Sequence, residues 1–125
     1  MDFDAAIQAH ANWATKLVAY SNGLSHERID PGNAARDDQC ALGQWLHGDG
    51  KQVMAGRYEY LELLRAHADF HRQAGSLLRL ADSGEGARVR ALLDDTQSPF
   101  RLCSNKVVSL LQSIKASLTK PPSGR

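Results

Sequence analysis

Three histidines stand where a helical bundle would normally place apolar side chains. His10 falls in the apolar stripe of one predicted helix, and His67 and His71 occupy two successive inward positions of another. Residues four apart on a helix project from the same face, so the imidazoles of this pair can approach one atom. Cys40 is predicted near the middle of a further helix. Four polar side chains from three helices could therefore converge inside a bundle.

Polar groups in an apolar interior need partners, because burying each of them without one costs roughly 1–3 kcal/mol. Imidazole nitrogen and thiolate sulfur suit zinc, which binds them at ~2.0–2.1 Å and ~2.3 Å in a tetrahedron. Four protein ligands leave no open position for an activated water, so such a site would hold shape or sense a signal. Alternatively, the histidines are buried and hydrogen-bonded to backbone or carboxylate groups, and their spacing alone leaves both interpretations open.

Helices account for almost all of the predicted elements. We find no stretch of strict two-residue alternation rich in β-branched residues, so strands are not expected. Helices are predicted over residues 4–22, 34–46, 58–80 and 87–94, and from Pro99 after an N-cap at Ser98. This pattern indicates an all-α protein, an antiparallel four-helix bundle with an additional short helix. Residues 1–119 would form the bundle and residues 120–125 a flexible tail.

Composition and charge exclude several classes of function. The chain has 125 residues, and its 15 basic and 14 acidic side chains leave a net charge of +1. Nucleic-acid binders usually carry a clustered basic excess, which is missing here. Apolar runs are far shorter than the ~20 residues of a membrane helix. The acidic start, Met1 to Asp4, has no secretory signal, so we expect a cytoplasmic protein with no membrane insertion.

The motifs around these four residues resemble those of a known family. The chain reads His-Ala-Asn-Trp at 10–13, Cys-Ala-Leu-Gly-Gln-Trp at 40–45 and His-Ala-Asp-Phe-His at 67–71. This order is similar to the pattern of the chemoreceptor zinc-binding (CZB) domain: a histidine three residues before an aromatic, then Cys-x-φ-Gly-x-aromatic, then His-x3-His. Every one of these positions is matched, and the gaps between the motifs fall within the range of the family.

The resemblance implies a cytoplasmic bacterial four-helix bundle that holds one zinc ion per chain with three histidines and one cysteine. By position, the ligands would be His10, Cys40, His67 and His71. Members of the family are attached to chemoreceptors or diguanylate cyclases, or occur as small stand-alone proteins, and they tend to form homodimers. Some respond to zinc availability or to hypochlorous acid through the ligand cysteine. The family is not enzymatic, so no catalytic residue is expected.

Three further residues are candidates for supporting roles around the metal. Trp13 and Trp45 match the aromatic positions of the family, where an apolar shell would control solvent access and thiolate reactivity. Asp37 is predicted on the same helix face as Cys40, where it would bond the thiol or a ligand imidazole, or else belong to a solvated face.

The remaining histidines and the second cysteine fit no ligand spacing. His26 and His47 lie in or beside loops and are expected to be exposed. Cys103 falls on the inward stripe of the last helix, either as a small apolar core residue or as a thiol that could pair with oxidised Cys40.

These observations favour a zinc-dependent sensor that signals to a chemotaxis or cyclic-di-GMP partner. Zinc would hold Cys40 as a thiolate, and oxidation to sulfenic acid would weaken the zinc bond and free the second helix to shift. One alternative is a purely structural zinc-stabilised bundle or interaction module, in which the metal only supplies folding energy. Another is a histidine phosphotransfer bundle, which needs an exposed histidine. A di-iron carrier would require inward carboxylates, and none is evident.

Overall fold

The computed structural model describes residues 1–25 and 28–119, and these residues form seven helices and no strand. The helices are α1 (Phe3–Ser21), α2 (Pro31–Ala34), α3 (Ala41–His47), α4 (Gly50–Val53), α5 (Tyr58–Asp82), α6 (Gly86–Asp94) and α7 (Pro99–Thr119). The predicted all-α bundle is confirmed. Among the described residues, no helix combines the length and the apolar character needed to span a bilayer. His26 and the predicted tail lie outside the described residues.

The long helices begin and end at capping residues that the sequence carries. The carboxylate of Asp2 accepts the backbone N–H of Ala5 at 2.9 Å and so caps α1. Gly23 ends that helix with a φ of +72°, a left-handed conformation that glycine adopts without a steric penalty. Ser98 caps α7, and Pro99 occupies its first position, as predicted.

Helix α5 lies at the centre of the bundle and contacts α1, α2, α6 and α7. Tyr20, at the end of α1, donates a hydrogen bond of 2.5 Å to Asp82 at the end of α5, so these two helices run in the same direction. Lys115, near the end of α7, pairs with Asp4 at 2.8 Å, so α7 runs antiparallel to α1. The largest core side chains between these helices are fully buried: Leu17, Leu63, Phe70, Leu78, Phe100, Leu111 and Ile114.

The prediction of one continuous helix over 34–46 is wrong. The chain instead forms the single turn of α2, continues irregularly, and enters α3 only after Cys40. The short helix α4, which was not predicted, follows α3. The carboxylate of Asp30 starts α2 early by accepting the N–H of Gly32. Cys40 has extended backbone angles (φ −87°, ψ 163°) and is the N-cap of α3, so it lies before a helix instead of within one.

Two glycines allow this irregular segment to pack closely against its neighbours. A Cβ atom added to Gly43 would lie 1.6 Å from the carbonyl oxygen of Asp37, and one added to Gly75 would lie 2.8 Å from the Cβ of Ala35. No larger residue fits at either position without moving backbone. These contacts fold the chain between α2 and α3 onto α3 itself and onto α5, and so bring Cys40 toward the histidines of α5.

Candidate metal centre

The four predicted residues meet inside the bundle. His10 comes from α1, His67 and His71 from α5, and Cys40 from the N-cap of α3. One ring nitrogen of each histidine and the sulfur of Cys40 all lie within 4.8 Å of one another. The imidazoles are at most 2% exposed, whereas Cys40 is half-buried. We call these four side chains the His–Cys cluster.

Four distances between the cluster atoms are close to those expected for ligands of one small cation. The Nε2 atom of His67 lies 3.1 Å from Nε2 of His10 and 3.0 Å from Nε2 of His71. The sulfur of Cys40 lies 3.2 Å from Nε2 of His67 and 3.6 Å from Nε2 of His71. A tetrahedral zinc ion with ordinary bond lengths would separate two nitrogens by about 3.3 Å and a nitrogen from a sulfur by about 3.6 Å. These four donor–donor distances are therefore within a few tenths of an ångström of the separations expected around zinc, and all four donor atoms lie within 4.8 Å of one another.

Backbone carbonyls fix two of the three imidazoles. Nδ1 of His10 lies 2.7 Å from the carbonyl oxygen of Ala6, and Nδ1 of His71 lies 2.9 Å from that of Ala34. A carbonyl oxygen can only accept, so both Nδ1 atoms carry the proton and both Nε2 atoms present a lone pair to the cluster. Nδ1 of His67 is buried and has no hydrogen-bond partner among the described residues.

Too few protons are available for hydrogen bonds to account for the cluster. Four close contacts join its atoms, but only the Cys40 thiol and Nε2 of His67 can carry a proton there. Two protons satisfy at most two of the four contacts. In each of the other two contacts, a lone pair then faces another lone pair. A single cation at the centre would satisfy all four donor atoms at once, so the residues present fit a divalent metal.

Burial keeps the three imidazoles neutral, which is the state in which they ligate metal. Desolvation lowers the pKa of His10 and of His71, although a backbone hydrogen bond opposes the shift in each. It lowers the pKa of His67 to about 2, with further contributions from the charges that His71 and His10 would carry. Protonating the cluster would place like charges about 3 Å apart in a low dielectric, which is why acid is expected to open it.

The sulfur of Cys40 is influenced by burial and by the start of α3. Desolvation raises the pKa of the thiol, while the N–H groups of Leu42 and Gly43 act in the opposite direction. The Gly43 N–H lies 3.4 Å from the sulfur and donates to it. Because burial is the larger effect, the thiol of the metal-free protein is protonated at neutral pH.

An aromatic side chain that sequence reasoning missed encloses the cluster on its inner side. The ring of Phe70 is fully buried and lies edge-on to His10 and His71, with ring centroids 5.1 and 5.3 Å apart. Its place three residues after His67, on the same helix face, was the available signal. The carbonyl of Ala34 was also missed, and no residue pattern could have indicated it because it depends on the irregular path after α2.

The two tryptophans have different surroundings. The ring of Trp13 meets the ring of His71 edge-on at a centroid distance of 6.4 Å, beside the cluster. The ring of Trp45 instead packs against Phe3 at 5.5 Å and lies over Gly50. Trp13 thus borders the cluster, and Trp45 anchors α3 to the start of α1.

Asp37 is not on a helix face shared with Cys40, because both residues precede α3. Its carboxylate pairs with His47 at 3.2 Å instead of with the thiol or a cluster imidazole. His47 is exposed, as predicted. Cys103 lies on α7 and packs against the core, but it is half-buried where a buried side chain was expected.

We expect the metal-free protein to lose stability as the pH falls from 7 to 5. Histidines in the unfolded chain bind protons near their ordinary pKa of 6.5, whereas the cluster histidines have lowered values in the fold. The unfolded state thus takes up more protons below pH 6.5, and each histidine steepens the loss by up to about 1.4 kcal/mol per pH unit.

Urea unfolding in the presence of a chelator, repeated at intervals of half a pH unit, measures this loss. The variant His67→Leu should show a shallower dependence, because it lacks one of the titrating groups. A free energy of unfolding that is constant or rises between pH 7 and 5 would contradict the expectation.

Comparison with known proteins bears on the same residues. The family model described as the chemoreceptor zinc-binding domain matches residues 10–78, which is more than half of the chain and includes all four members of the His–Cys cluster. No curated protein and no solved structure matches the chain significantly. With its three motifs in order and their donor atoms gathered at one point, the chain belongs to the chemoreceptor zinc-binding domain family.

Proposed function

We propose that this chain is a zinc-binding regulatory module that holds one Zn²⁺ ion with His10, Cys40, His67 and His71. The observation that carries the proposal is the shortage of protons for the four contacts of 3.0–3.6 Å that join three buried imidazoles and the half-buried Cys40. A cation removes this conflict, and a mixture of imidazole and thiolate ligands favours zinc over the hard cations Mg²⁺ and Ca²⁺. The family, which is defined by zinc binding, supports the same choice of metal.

A binding module fits this arrangement better than an enzyme or a phosphotransfer protein. Four protein ligands fill a tetrahedral site, whereas catalytic zinc sites keep one position open for water or substrate. A phosphotransfer histidine must reach a partner protein, but each histidine of the cluster is at most 2% exposed. The role we propose is therefore to bind the metal and to change conformation when the site changes.

Removing a ligand should weaken zinc binding sharply. We expect Cys40→Ala and His67→Ala to lower the zinc affinity by more than about 100-fold, because losing even an outer contact of a ligand lowers metal affinity about 10–100-fold. Competition with a chromophoric chelator measures the affinity, and elemental mass spectrometry measures the stoichiometry, expected to be one zinc per chain. The matched control Cys103→Ala should bind zinc as the parent does. Full affinity in Cys40→Ala would mean that the sulfur is not a ligand.

We propose further that Cys40 is the sensing residue. It is the one cluster member that is half-buried, and it joins the cluster through an irregular segment instead of through a long helix. Bound zinc would hold its sulfur as a thiolate at neutral pH. The sulfur can then attack the chlorine of hypochlorous acid and release hydroxide. Water next displaces chloride with loss of a proton, so that sulfur is oxidised by two electrons to sulfenic acid and chlorine is reduced to chloride.

Oxidation would be transmitted through the segment that carries Cys40. A sulfenic acid is a poorer zinc ligand than a thiolate, so α3 and the chain before it would lose one attachment to α5. Zinc availability would act through the same connection. We propose that a chemoreceptor or a diguanylate cyclase in the cytoplasm responds to this shift. Residues 1–119 would be the sensory domain of a homodimer. The description of the family, which names chemoreceptors, supports this partner class.

Hypochlorous acid should release zinc from the loaded protein, with sulfenic acid forming at Cys40. A zinc indicator dye and intact-protein mass spectrometry follow the two events together. The variant Cys103→Ser should respond like the parent, because its remaining thiol is Cys40. Cys40→Ala, loaded at saturating zinc, should not respond. An unchanged response in Cys40→Ala would refute the sensing mechanism and leave a purely structural zinc site.

A further inference from the structure

A cleft of about 420 Å³ opens beside the His–Cys cluster and is not used by the zinc site itself. Helix α1 contributes Trp13 and Lys16 to its walls, and the irregular segment before α3 contributes Arg36 and Gln39. Two cluster members, Cys40 and His71, also line it.

The cleft leads to the sulfur more directly than to the imidazoles. His71 lines it but is only 2% exposed, whereas Cys40 is half-buried and so presents part of its surface. His10 and His67 do not line it. A small solute that enters the cleft therefore meets Cys40 as the more exposed of the two cluster residues that line it.

The charge of the cleft is positive. Among the residues that the structure describes, the ionisable ones that line the cleft outside the cluster are Lys16 and Arg36, and none of the lining residues carries a carboxylate. Arg36 forms a two-pronged pair with Asp38, with both N–O distances at 3.0 Å, so its charge is largely offset. The ammonium of Lys16 instead lies 5.1 Å from the centroid of the Trp13 ring, a cation–π contact that keeps it over the wall of the cleft.

We propose that this cleft is an anion-selective entrance to the Cys40 sulfur, and that Lys16 is the residue that selects small anionic thiol reagents over neutral ones of similar size. A positive charge held near a partly desolvated cleft raises the local concentration of anions and their rate of encounter. The proposal rests on the proposed function in one respect, since it assumes that Cys40 reacts in the zinc-loaded protein. Lys16 acts here as a positioning residue, because it does not itself touch the reacting atoms.

Two alkylating probes of similar size and different charge test the selection. Iodoacetate is an anion and iodoacetamide is neutral, and with each the sulfur attacks the methylene carbon and iodide leaves. The zinc-loaded full chain carries Cys103→Ser, so that Cys40 is the only thiol. Mass spectrometry gives both rates, normalised to those of free N-acetylcysteine. The readout is the ratio of the iodoacetate rate to the iodoacetamide rate.

Lys16→Glu should lower this ratio roughly 3–10-fold, and Lys16→Gln should give an intermediate value, since one charge close to the path is reversed or removed. The difference should shrink in 0.5 M salt, where exposed charges are screened within a few ångströms. The matched control Lys51→Glu makes the same charge change on α4, outside the cleft, and should leave the ratio unchanged.

Three results would overturn the proposal: an unchanged ratio in Lys16→Glu, an equal fall in Lys51→Glu, or no reaction of Cys40 with either probe in the native protein. Zinc content, measured on the same samples, separates these failures from a failure of the proposed function. If the chain binds one zinc but shows no charge selection, the zinc site is supported and the proposed entrance is refuted.

Discussion

The structure depends on the lone pairs of the His–Cys cluster, which face one another without enough protons to hydrogen-bond. Four contacts of 3.0–3.6 Å join three imidazole nitrogens and one sulfur, and carbonyl oxygens behind two of the imidazoles leave the Nε2 atoms of those rings as lone pairs. Hydrogen bonding cannot satisfy this group, and burial prevents protons from being added to it. A cation at the centre would satisfy all four donor atoms and act as a cross-link within the bundle. It would tie α1, α5 and the start of α3 together, elements that are far apart in the chain.

The elements around the cluster are of two kinds, long helices and a segment of short helical turns. Helices α1, α5 and α7 bury a continuous apolar core, with Phe70 between the cluster and Phe100. The segment from α2 to α4 is made of short helical turns, and close approach at Gly43 and Gly75 determines its path. Three of the four cluster residues thus lie on long helices, and Cys40 lies in the irregular segment before α3. This asymmetry is the reason for proposing that a change at Cys40 acts on the segment between α2 and α3.

The long helices and three of the four donors could be predicted from the sequence, because a 3.6-residue period makes a histidine in an apolar stripe conspicuous. His10, His67 and His71 needed no knowledge of tertiary contacts. Cys40 was identified as a donor, but its place at an N-cap was not, because helix propensity over 34–46 gave no sign that Asp30 would start a turn early. The pairing of Asp37 with His47 and the carbonyl of Ala34 behind His71 both follow from that irregular path. They depend on backbone geometry, which residue spacing does not encode.

The proposed function rests on the binding of a single zinc ion by three nitrogens and one sulfur. X-ray absorption spectroscopy at the zinc edge of the loaded, reduced protein measures this directly. We predict three nitrogen ligands at ~2.0–2.1 Å and one sulfur at ~2.3 Å, with the sulfur shell absent in Cys40→Ala. A shell of nitrogen and oxygen alone, or one with two sulfurs, would contradict the assignment of Cys40 and with it the proposed mechanism of sensing.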